Sequence, residues 1–213
     1  MSVAARRGGR AAGITLVEML IVVVIGGLFA SALLGAFQSG TKATITHESQ
    51  AFAQADARVA IDQMSRDIRQ AVGFPARVGL PLELVHTSEL VLHVDDRRAA
   101  DHTIQPVPSR VRYALVGDDL IREEAAPVVS GTTVTYGPYL GRRALVDRVA
   151  TGTGAPALFQ GVLANGTAVS GAVPAAQLKD VTRIRIRLLS AHDVGPTSVN
   201  DEVRVDVTLR NAI

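Results

Sequence analysis

One carboxylate, Glu18, stands inside an otherwise apolar segment near the start of the chain. Residues 14–37 read ITLVEMLIVVVIGGLFASALLGAF and contain no other charged side chain. A helix of about 20 apolar residues spans a bilayer, and a charged group inside such a span is functional by default. The chemistry that fits an isolated carboxylate there is pairing with a cation, because a pair can recover much of the desolvation cost of each charge. Glu18 is therefore the first candidate for a functional residue.

The histidines and carboxylates elsewhere do not form a catalytic or metal-binding pattern. The chain has no Cys, and this absence excludes thiolate metal sites, thiol catalysis and disulfides. It has 5 His. The histidines lack metal-ligand spacing, and no GxSxG, P-loop or GxGxxG sequence is present. The densest polar group predicts solvated loop residues after a strand rather than a cation site; it comprises His93, Asp95, Asp96, Asp101 and His102. We expect no catalytic residue, no metal ligand and no cofactor.

Basic side chains concentrate ahead of the apolar segment. Lys and Arg total 22 and Asp and Glu total 20, a formal net charge of +2. Arg6, Arg7 and Arg10 are the only charged side chains in residues 1–13, and they account for the whole basic excess. The other basic residues are interleaved with acidic ones, so nucleic-acid binding is not predicted. Arginines ahead of an apolar span hold the N-terminus in the cytoplasm, and the rest of the chain would then lie outside.

Three interpretations of residues 1–37 compete. A plain signal anchor explains the basic N-terminus and the apolar span but gives Glu18 no purpose. A cleaved secretory signal would use the small residues 30–32, Ala-Ser-Ala, as its cleavage site, although a carboxylate at the start of its apolar region fits poorly. The third interpretation depends on residues 13–18, which read Gly-Ile-Thr-Leu-Val-Glu, and it gives the carboxylate a defined place.

Residues 13–18 resemble the prepilin cleavage motif of the type IV pilin and type II secretion pseudopilin superfamily. The resemblance combines a basic leader, residues 1–13, with the Gly, the apolar-Thr-Leu-Val-Glu string and the apolar run behind it. It implies that prepilin peptidase cleaves after Gly13 and methylates the new N-terminus at Ile14, where the family usually has Phe. It also implies that Glu18, the fifth mature residue, attracts the methylated N-terminus of a neighbouring pilin or pseudopilin subunit. The chain would be a single-pass inner-membrane protein, in contact with lipid, before it enters a pilus or pseudopilus.

Small residues recur along one face of the predicted membrane helix, residues 14–37. Gly27, Ser31 and Gly35 follow one another at intervals of four. Such a ridge lets helices approach closely in an apolar medium, so these three residues are candidates for helix packing. The alternative is that a membrane helix merely tolerates them.

The next segment, residues 38–73, predicts an amphipathic continuation of the helix. Residues 41–72 contain neither Pro nor Gly, and Gly73 ends the predicted helix. A helix of this kind needs a sheet to cover its apolar face. The apolar positions recur at spacings of three and four, and they are Ile61, Met64, Ile68 and Ala71.

Residues 74–213 predict a β-rich globular domain, because the hydrophobic period changes there to two. Segments 150–180 and 190–201 are rich in Gly, Ala, Pro, Thr and Ser and predict loops. The fold class we expect is α+β, with the long N-terminal helix packed on a C-terminal antiparallel sheet. Strands are predicted at residues 89–94, 109–116, 120–124, 181–189 and 202–210, with weaker candidates at 132–136 and 144–149.

Three short segments resemble one branch of the same superfamily. Residues 66–71, 111–115 and 120–122 look like parts of minor pilins of the W class and minor type II secretion pseudopilins of the J class. The resemblance favours a minor over a major subunit and does not identify the machine, be it secretion, competence, motility or adhesion. The competing hypothesis is a signal-anchored or secreted β-rich binding module whose apolar segment only targets it.

Overall fold

A computed structural model describes residues 15–73, 79–95, 107–131, 133–151, 155–194 and 197–210. The chain divides into two units, Met1–Glu48 and Ser49–Ile213. One long helix, α1 (Leu16–Arg69), begins in the first unit and ends in the second. All strands of the described residues belong to the second unit.

The part of α1 in the second unit packs its apolar face into the core. Ile61, Met64 and Ile68 are buried, with at most 5% of their surface exposed. Ala57 and Ala60 are fully buried as well, and their small side chains let the helix backbone lie close to its neighbours. The predicted amphipathic face is therefore confirmed at Ile61, Met64 and Ile68, whereas Ala71, its fourth predicted member, is buried beyond the end of the helix.

The helix ends at Arg69 rather than at Val72. Ala71 forms an antiparallel bridge with Val94, and the Val72 N–H donates to the carbonyl of His93 at 2.9 Å. Strand β2 (Glu89–Val94) thus takes up the backbone groups that another helical turn would have used. Pairing with the sheet, and not only the glycine that follows, terminates the helix.

The larger sheet has five antiparallel strands in the order β1-β2-β3-β4-β7. Strands β2 and β3 have the bounds that the sequence alternation predicts. The β3–β4 hairpin turns at Gly117, whose φ of 64° is a conformation that favours glycine. Besides β2, the strands are β1 (Leu82–Val85), β3 (Ser109–Val116), β4 (Asp119–Ala125) and β7 (Leu140–Val146).

A second sheet has three antiparallel strands in the order β10-β9-β8. A 3-10 helix, Ala175–Asp180, precedes β9 and buries Leu178. A separate two-stranded hairpin joins β5 and β6. The α+β fold class is confirmed. The strands are β5 (Pro127–Ser130), β6 (Thr133–Tyr136), β8 (Phe159–Leu163), β9 (Val181–Val194) and β10 (Thr197–Thr208).

Two segments predicted as loops contain strands. Strand β8 lies within residues 150–180, and β9 and β10 extend through most of residues 190–201. The register of the β9–β10 hairpin is continuous as far as Val194 opposite Thr197. Hydrogen bonding across the hairpin holds these small and polar residues in strands, because the pairing context overrides a weak intrinsic preference.

The core of the second unit is aliphatic, as the composition requires. It joins side chains from α1 and from both larger sheets, and burial of this apolar surface is the main favourable term in folding. Two large aromatic side chains, Tyr113 and Phe159, are fully buried within it.

Candidate functional site

Thr15 caps the N-terminus of α1. Its carbonyl accepts hydrogen bonds from the N–H groups of Glu18 at 3.0 Å and Met19 at 3.2 Å. Its Oγ1 accepts a second, longer bond from the same Glu18 N–H at 3.3 Å, the side-chain contact of a helix N-cap. Thr-x-x-Glu is the sequence pattern of a capping box, so a signal for this cap was present in the sequence, although the predictions did not use it.

Glu18 lies in the first turn of α1 with its side chain exposed. The positive end of the helix macrodipole favours a carboxylate at this position. Within the described residues, no hydrogen bond or ion pair involves the Glu18 carboxylate. The carboxylate is therefore open to a cation from outside these residues.

Apolar surface is exposed along the whole N-terminal part of α1. Leu16–Lys42 is the one stretch of the described residues long and apolar enough to cross a membrane, with 27 residues, a mean hydropathy of 2.5 and none of its hydrophobic window buried. At 1.5 Å per residue it is about 40 Å long, against a hydrocarbon core of about 30 Å. Its large side chains include Phe29 and Phe37, which are 69% and 76% exposed.

The predicted small-residue ridge lies on this exposed surface. A Cβ added at Gly27 or Gly35 would contact nothing within 4 Å. The Ser31 hydroxyl donates to the Leu28 carbonyl at 2.8 Å, so the helix satisfies this polar group internally. The ridge is open to a neighbouring helix, and its role in packing stays a prediction.

Gly13 and Ile14 lie outside the described residues. The described residues begin at Thr15, one residue beyond the Gly13–Ile14 bond that is predicted to be cleaved. Cleavage at this bond and methylation of Ile14 stay predictions.

A buried polar network joins α1 to the larger sheet, and sequence analysis did not select its residues as a group. Asp67, which is only 4% exposed, accepts three hydrogen bonds. Its Oδ2 accepts from the Tyr113 hydroxyl at 2.6 Å and from Arg122 Nε at 3.0 Å. Its Oδ1 accepts from Gln63 Nε2 at 2.9 Å. A buried carboxylate needs such partners to offset its desolvation, and these partners fix the helix on the sheet.

Electrostatics keep Tyr113 and Arg122 of this network in defined protonation states. Burial, reinforced by the Asp67 carboxylate, raises the pKa of the Tyr113 hydroxyl, so Tyr113 stays a neutral donor. Burial alone would lower the pKa of Arg122, but the Asp67 carboxylate holds that pKa above its ordinary value. Arg122 also donates to Glu124 Oε2 from Nη1 at 3.1 Å. The network is a structural joint that buries no unpaired acid.

His93 is the buried member of the polar group that the sequence singled out. Its Nδ1 donates to the Leu80 carbonyl at 3.0 Å, and its ring stacks on Tyr136 with 5.4 Å between ring centroids. Burial lowers the pKa of His93, and the Leu80 hydrogen bond opposes that shift only in part. Asp96, Asp101 and His102 lie outside the described residues. Among the residues that are described, no group of three or more His, Asp or Glu side chains could hold a metal ion.

Arginines of β3 lie over the rings of Tyr136, the last residue of β6, and Tyr139, in the β6–β7 connection. The Arg110 guanidinium lies 5.9 Å from the Tyr136 ring centroid and 5.3 Å from that of Tyr139. The Arg112 guanidinium lies 5.7 Å from the Tyr139 centroid and pairs with Glu89 at 2.6 Å. These cation–π contacts hold the connection against the sheet, which is a packing role and not a chemical one.

Residues 9–34 match a protein family described as the prokaryotic N-terminal methylation motif. The match indicates a pilin-type precursor. Prepilin peptidase processes such precursors, which then assemble with other pilins, and the proteins that carry the motif are structural rather than enzymatic. Together with the apolar helix Leu16–Lys42, the match suggests a single-pass protein anchored in the inner membrane. No curated protein matches the chain.

Proposed function

We propose that the chain is a minor pilin or pseudopilin subunit, which assembles through its N-terminal helix into a type IV pilus or a type II secretion pseudopilus. The observation that carries the proposal is the match of residues 9–34 to the methylation motif. That stretch contains Gly13, Ile14 and Glu18 together. In the proposal, the peptidase cleaves between Gly13 and Ile14, and Ile14 becomes the methylated N-terminus.

Each part of the chain then has one task. Residues 1–13 form the leader and 14–37 the membrane and assembly helix, while 38–73 carry the helix into the globular domain, 74–213. The three leader arginines favour a cytoplasmic N-terminus by the positive-inside tendency. The globular domain would accordingly lie on the outer side of the inner membrane, where it can meet other subunits.

The geometry at the start of α1 supports a role for Glu18 in assembly. Its carboxylate is exposed and has no partner within the described residues, while the Thr15 cap already satisfies its N–H. A methylated amine at Ile14 of a neighbouring subunit is the cation proposed to pair with it. In a medium of low dielectric constant such a pair is strongly favoured over two isolated charges, and it would set the register between subunits. The Gly27, Ser31 and Gly35 ridge would let the neighbouring helix approach closely.

The buried polar network around Asp67 supports the choice of a minor subunit. The three segments that resemble W-class pilins and J-class pseudopilins, residues 66–71, 111–115 and 120–122, are far apart in the sequence. Asp67, Tyr113 and Arg122, one from each segment, are bonded to one another in the fold. Three segments that contribute to one hydrogen-bonded network are better explained as a single shared feature than as three chance similarities.

Processing is the step that tests the proposal most directly. The full-length chain would be expressed with a prepilin peptidase, and the mass of the membrane-fraction protein would be measured. We expect a mature start at Ile14 with one added methyl group. Gly13→Val should stay uncut, whereas Gly9→Val, a matched change within the leader, should be cut normally. A start at Leu33 or an uncut wild-type chain would support the signal-anchored or secreted β-rich module instead.

Assembly of the processed chain tests the role of Glu18. Glu18→Ala and Glu18→Gln should both be cleaved and methylated, but each should enter sheared filaments poorly because neither carries the charge. Asp62→Ala changes an exposed acid farther along α1 and should assemble like the wild type. Normal incorporation of either Glu18 variant would refute this role.

A further inference from the structure

Strand β10 presents a long and regular free edge. It pairs with β9 along all of its 12 residues, from Thr197 opposite Val194 to Thr208 opposite Arg183, without a register shift. Within the described residues no strand pairs with its other side, and no turn or loop backbone bonds to it there. Outward N–H and C=O groups in such a row form a template for another strand.

The outer edges of β1, β8 and β7 are covered or interrupted. On the β1 edge, the Val85 carbonyl accepts a hydrogen bond from the Val173 N–H at 2.8 Å. On the β8 edge, the Gly161 carbonyl accepts from the Val169 N–H at 2.9 Å. Strand β7 has two register shifts against β4 and a positive φ at Gly141, and such bulges hinder further pairing. Of the four edges of the two larger sheets, β10 alone has none of these protections within the described residues.

On the exposed face of β10, Arg204 is the charged side chain without a hydrogen-bonded partner within the described residues. Arg204 stands directly opposite Arg187 on β9, and like charges in that position repel. The nearby acids are already engaged. Arg187 donates to Glu202 at 2.8 Å, and Arg185 donates twice to Asp206 at 2.8 and 2.9 Å. Arg204 is exposed and makes no hydrogen bond or ion pair within the described residues, although its charge acts at longer range on Glu202 and Asp206. The free edge therefore favours an incoming strand that supplies a carboxylate.

We propose that this strand is β10 of a second copy of the chain, paired antiparallel about a two-fold axis with Val205 opposite Val205. In this register Arg204 of each copy lies opposite Asp206 of the other, so both unpaired cations gain a carboxylate. Each Asp206 oxygen accepts one bond from within its own chain and keeps a lone pair for a second. On the other face Val203 lies opposite Val207, and the added strand covers the valines that are only partly buried in one copy.

The sequence of β10 favours this register over its neighbours. A pair centred on Arg204 would set two arginines against each other and would oppose carboxylates on both sides of them. A pair centred on Val203 would bring Arg204 opposite Glu202, but it would set Val205 opposite Asp201 and so interrupt the row of valine pairs. The register centred on Val205 sets valine against valine at positions 203, 205 and 207 on one face, and it sets Arg204 opposite Asp206 on the other. The contact is closed, because each copy uses the same strand.

Disulfide crosslinking tests both the partner and the register. The chain has no Cys, so a single introduced thiol reports on one position. Residues opposite each other in antiparallel strands have Cα atoms about 4.5–5.5 Å apart, within disulfide range. The purified full-length chain in detergent, carrying Val205→Cys, should give a covalent dimer on oxidation. Val203→Cys, the matched control on the same face, should not, since its two copies are displaced by about 13 Å along the strand.

A charge reversal separates strand pairing from association through the apolar helix. Arg204→Glu in the Val205→Cys background should lower the dimer fraction about tenfold, because two cross-strand pairs change from attraction to repulsion. Arg204→Lys should preserve the dimer, and all variants should melt like the wild type. Absence of a Val205→Cys dimer would overturn the proposal. So would equal crosslinking at positions 203 and 205, insensitivity to Arg204→Glu, or a crosslink that forms only with a different protein.

Discussion

Asp67→Ala is the substitution for which the structure makes the sharpest statement about stability. The change removes a carboxylate that is 4% exposed and leaves three donors without their acceptor. The Tyr113 hydroxyl, 2.6 Å from Asp67 Oδ2, is fully buried and would have no replacement. Arg122 would keep its bond to Glu124, and Gln63 would keep its bond from Arg66.

The magnitude follows from which of these groups water can reach. Removing one partner of a buried ion pair costs about 3–5 kcal/mol. The Arg122 side chain is 22% exposed and retains Glu124, so the lower end of that range, about 3 kcal/mol, applies. For a domain of this size, about 1 kcal/mol corresponds to roughly 2–4 °C in Tm. We therefore expect Asp67→Ala to lower the Tm of the full-length chain in detergent by about 6–12 °C.

Two matched variants make the measurement decisive. Tyr113→Phe removes only the hydroxyl and leaves Arg122 and Gln63 on the carboxylate, so the loss should be about 1–2 kcal/mol. Asp62→Ala removes an exposed acid on the same helix and should change stability by less than about 0.5 kcal/mol. Circular dichroism melts of the three variants should rank them in that order. If Asp67→Ala melts like Asp62→Ala, the network does not hold the helix on the sheet.

Other predictions concern separate parts of the globular domain. Burial lowers the pKa of His93 below 6.5, so in acid the unfolded chain binds this proton more readily than the folded chain does. The free energy of unfolding should therefore fall as pH drops below about 6.5. In urea titrations, His93→Leu should reduce this dependence of stability on pH. Gly161→Ala should lose about 1–3 kcal/mol through overpacking, since its Cβ would lie 2.8 Å from a valine methyl, whereas Gly137→Ala should melt normally. The hydrogen bond from Arg185 lowers the pKa of Asp206, so the wild type keeps the stabilisation from this pair at neutral pH and loses it only in acid. Asp206→Asn should lack this stabilisation at neutral pH.

Local pattern was sufficient to predict the elements whose own residues determine them. The face of Ile61, Met64 and Ile68 is buried as the helical spacing requires. Strand β3 keeps its predicted bounds because it mostly alternates buried and partly exposed residues, and β2 does so because it is a short apolar run that is buried almost throughout. The apolar N-terminal helix was equally readable, since length and composition define it.

Elements that depend on pairing with distant residues could not be predicted from the local sequence pattern. Strand β8 has only five residues, with a glycine in its middle, and its place beside β9 comes from pairing. The ends of β9 and β10 are small and polar, and they are strands because the hairpin register continues through them. Asp67 looked like one charge among several on a helix. Only the fold brings Tyr113 and Arg122, more than 40 residues away, to within hydrogen-bonding distance of it.

Asp67 and Glu18 lie on the same helix, and the difference in their surroundings gives their carboxylates different roles. Asp67 is buried and accepts bonds from three side chains of its own unit, so it needs nothing from outside. Glu18 is exposed in the apolar part of α1 and has no partner within the described residues. In lipid an unpaired carboxylate is costly, so its partner has to come from beyond them. Replacing Asp67 should therefore weaken the folded monomer, whereas replacing Glu18 should leave the Tm unchanged and affect assembly alone. A Glu18→Ala chain that melts early would contradict this division.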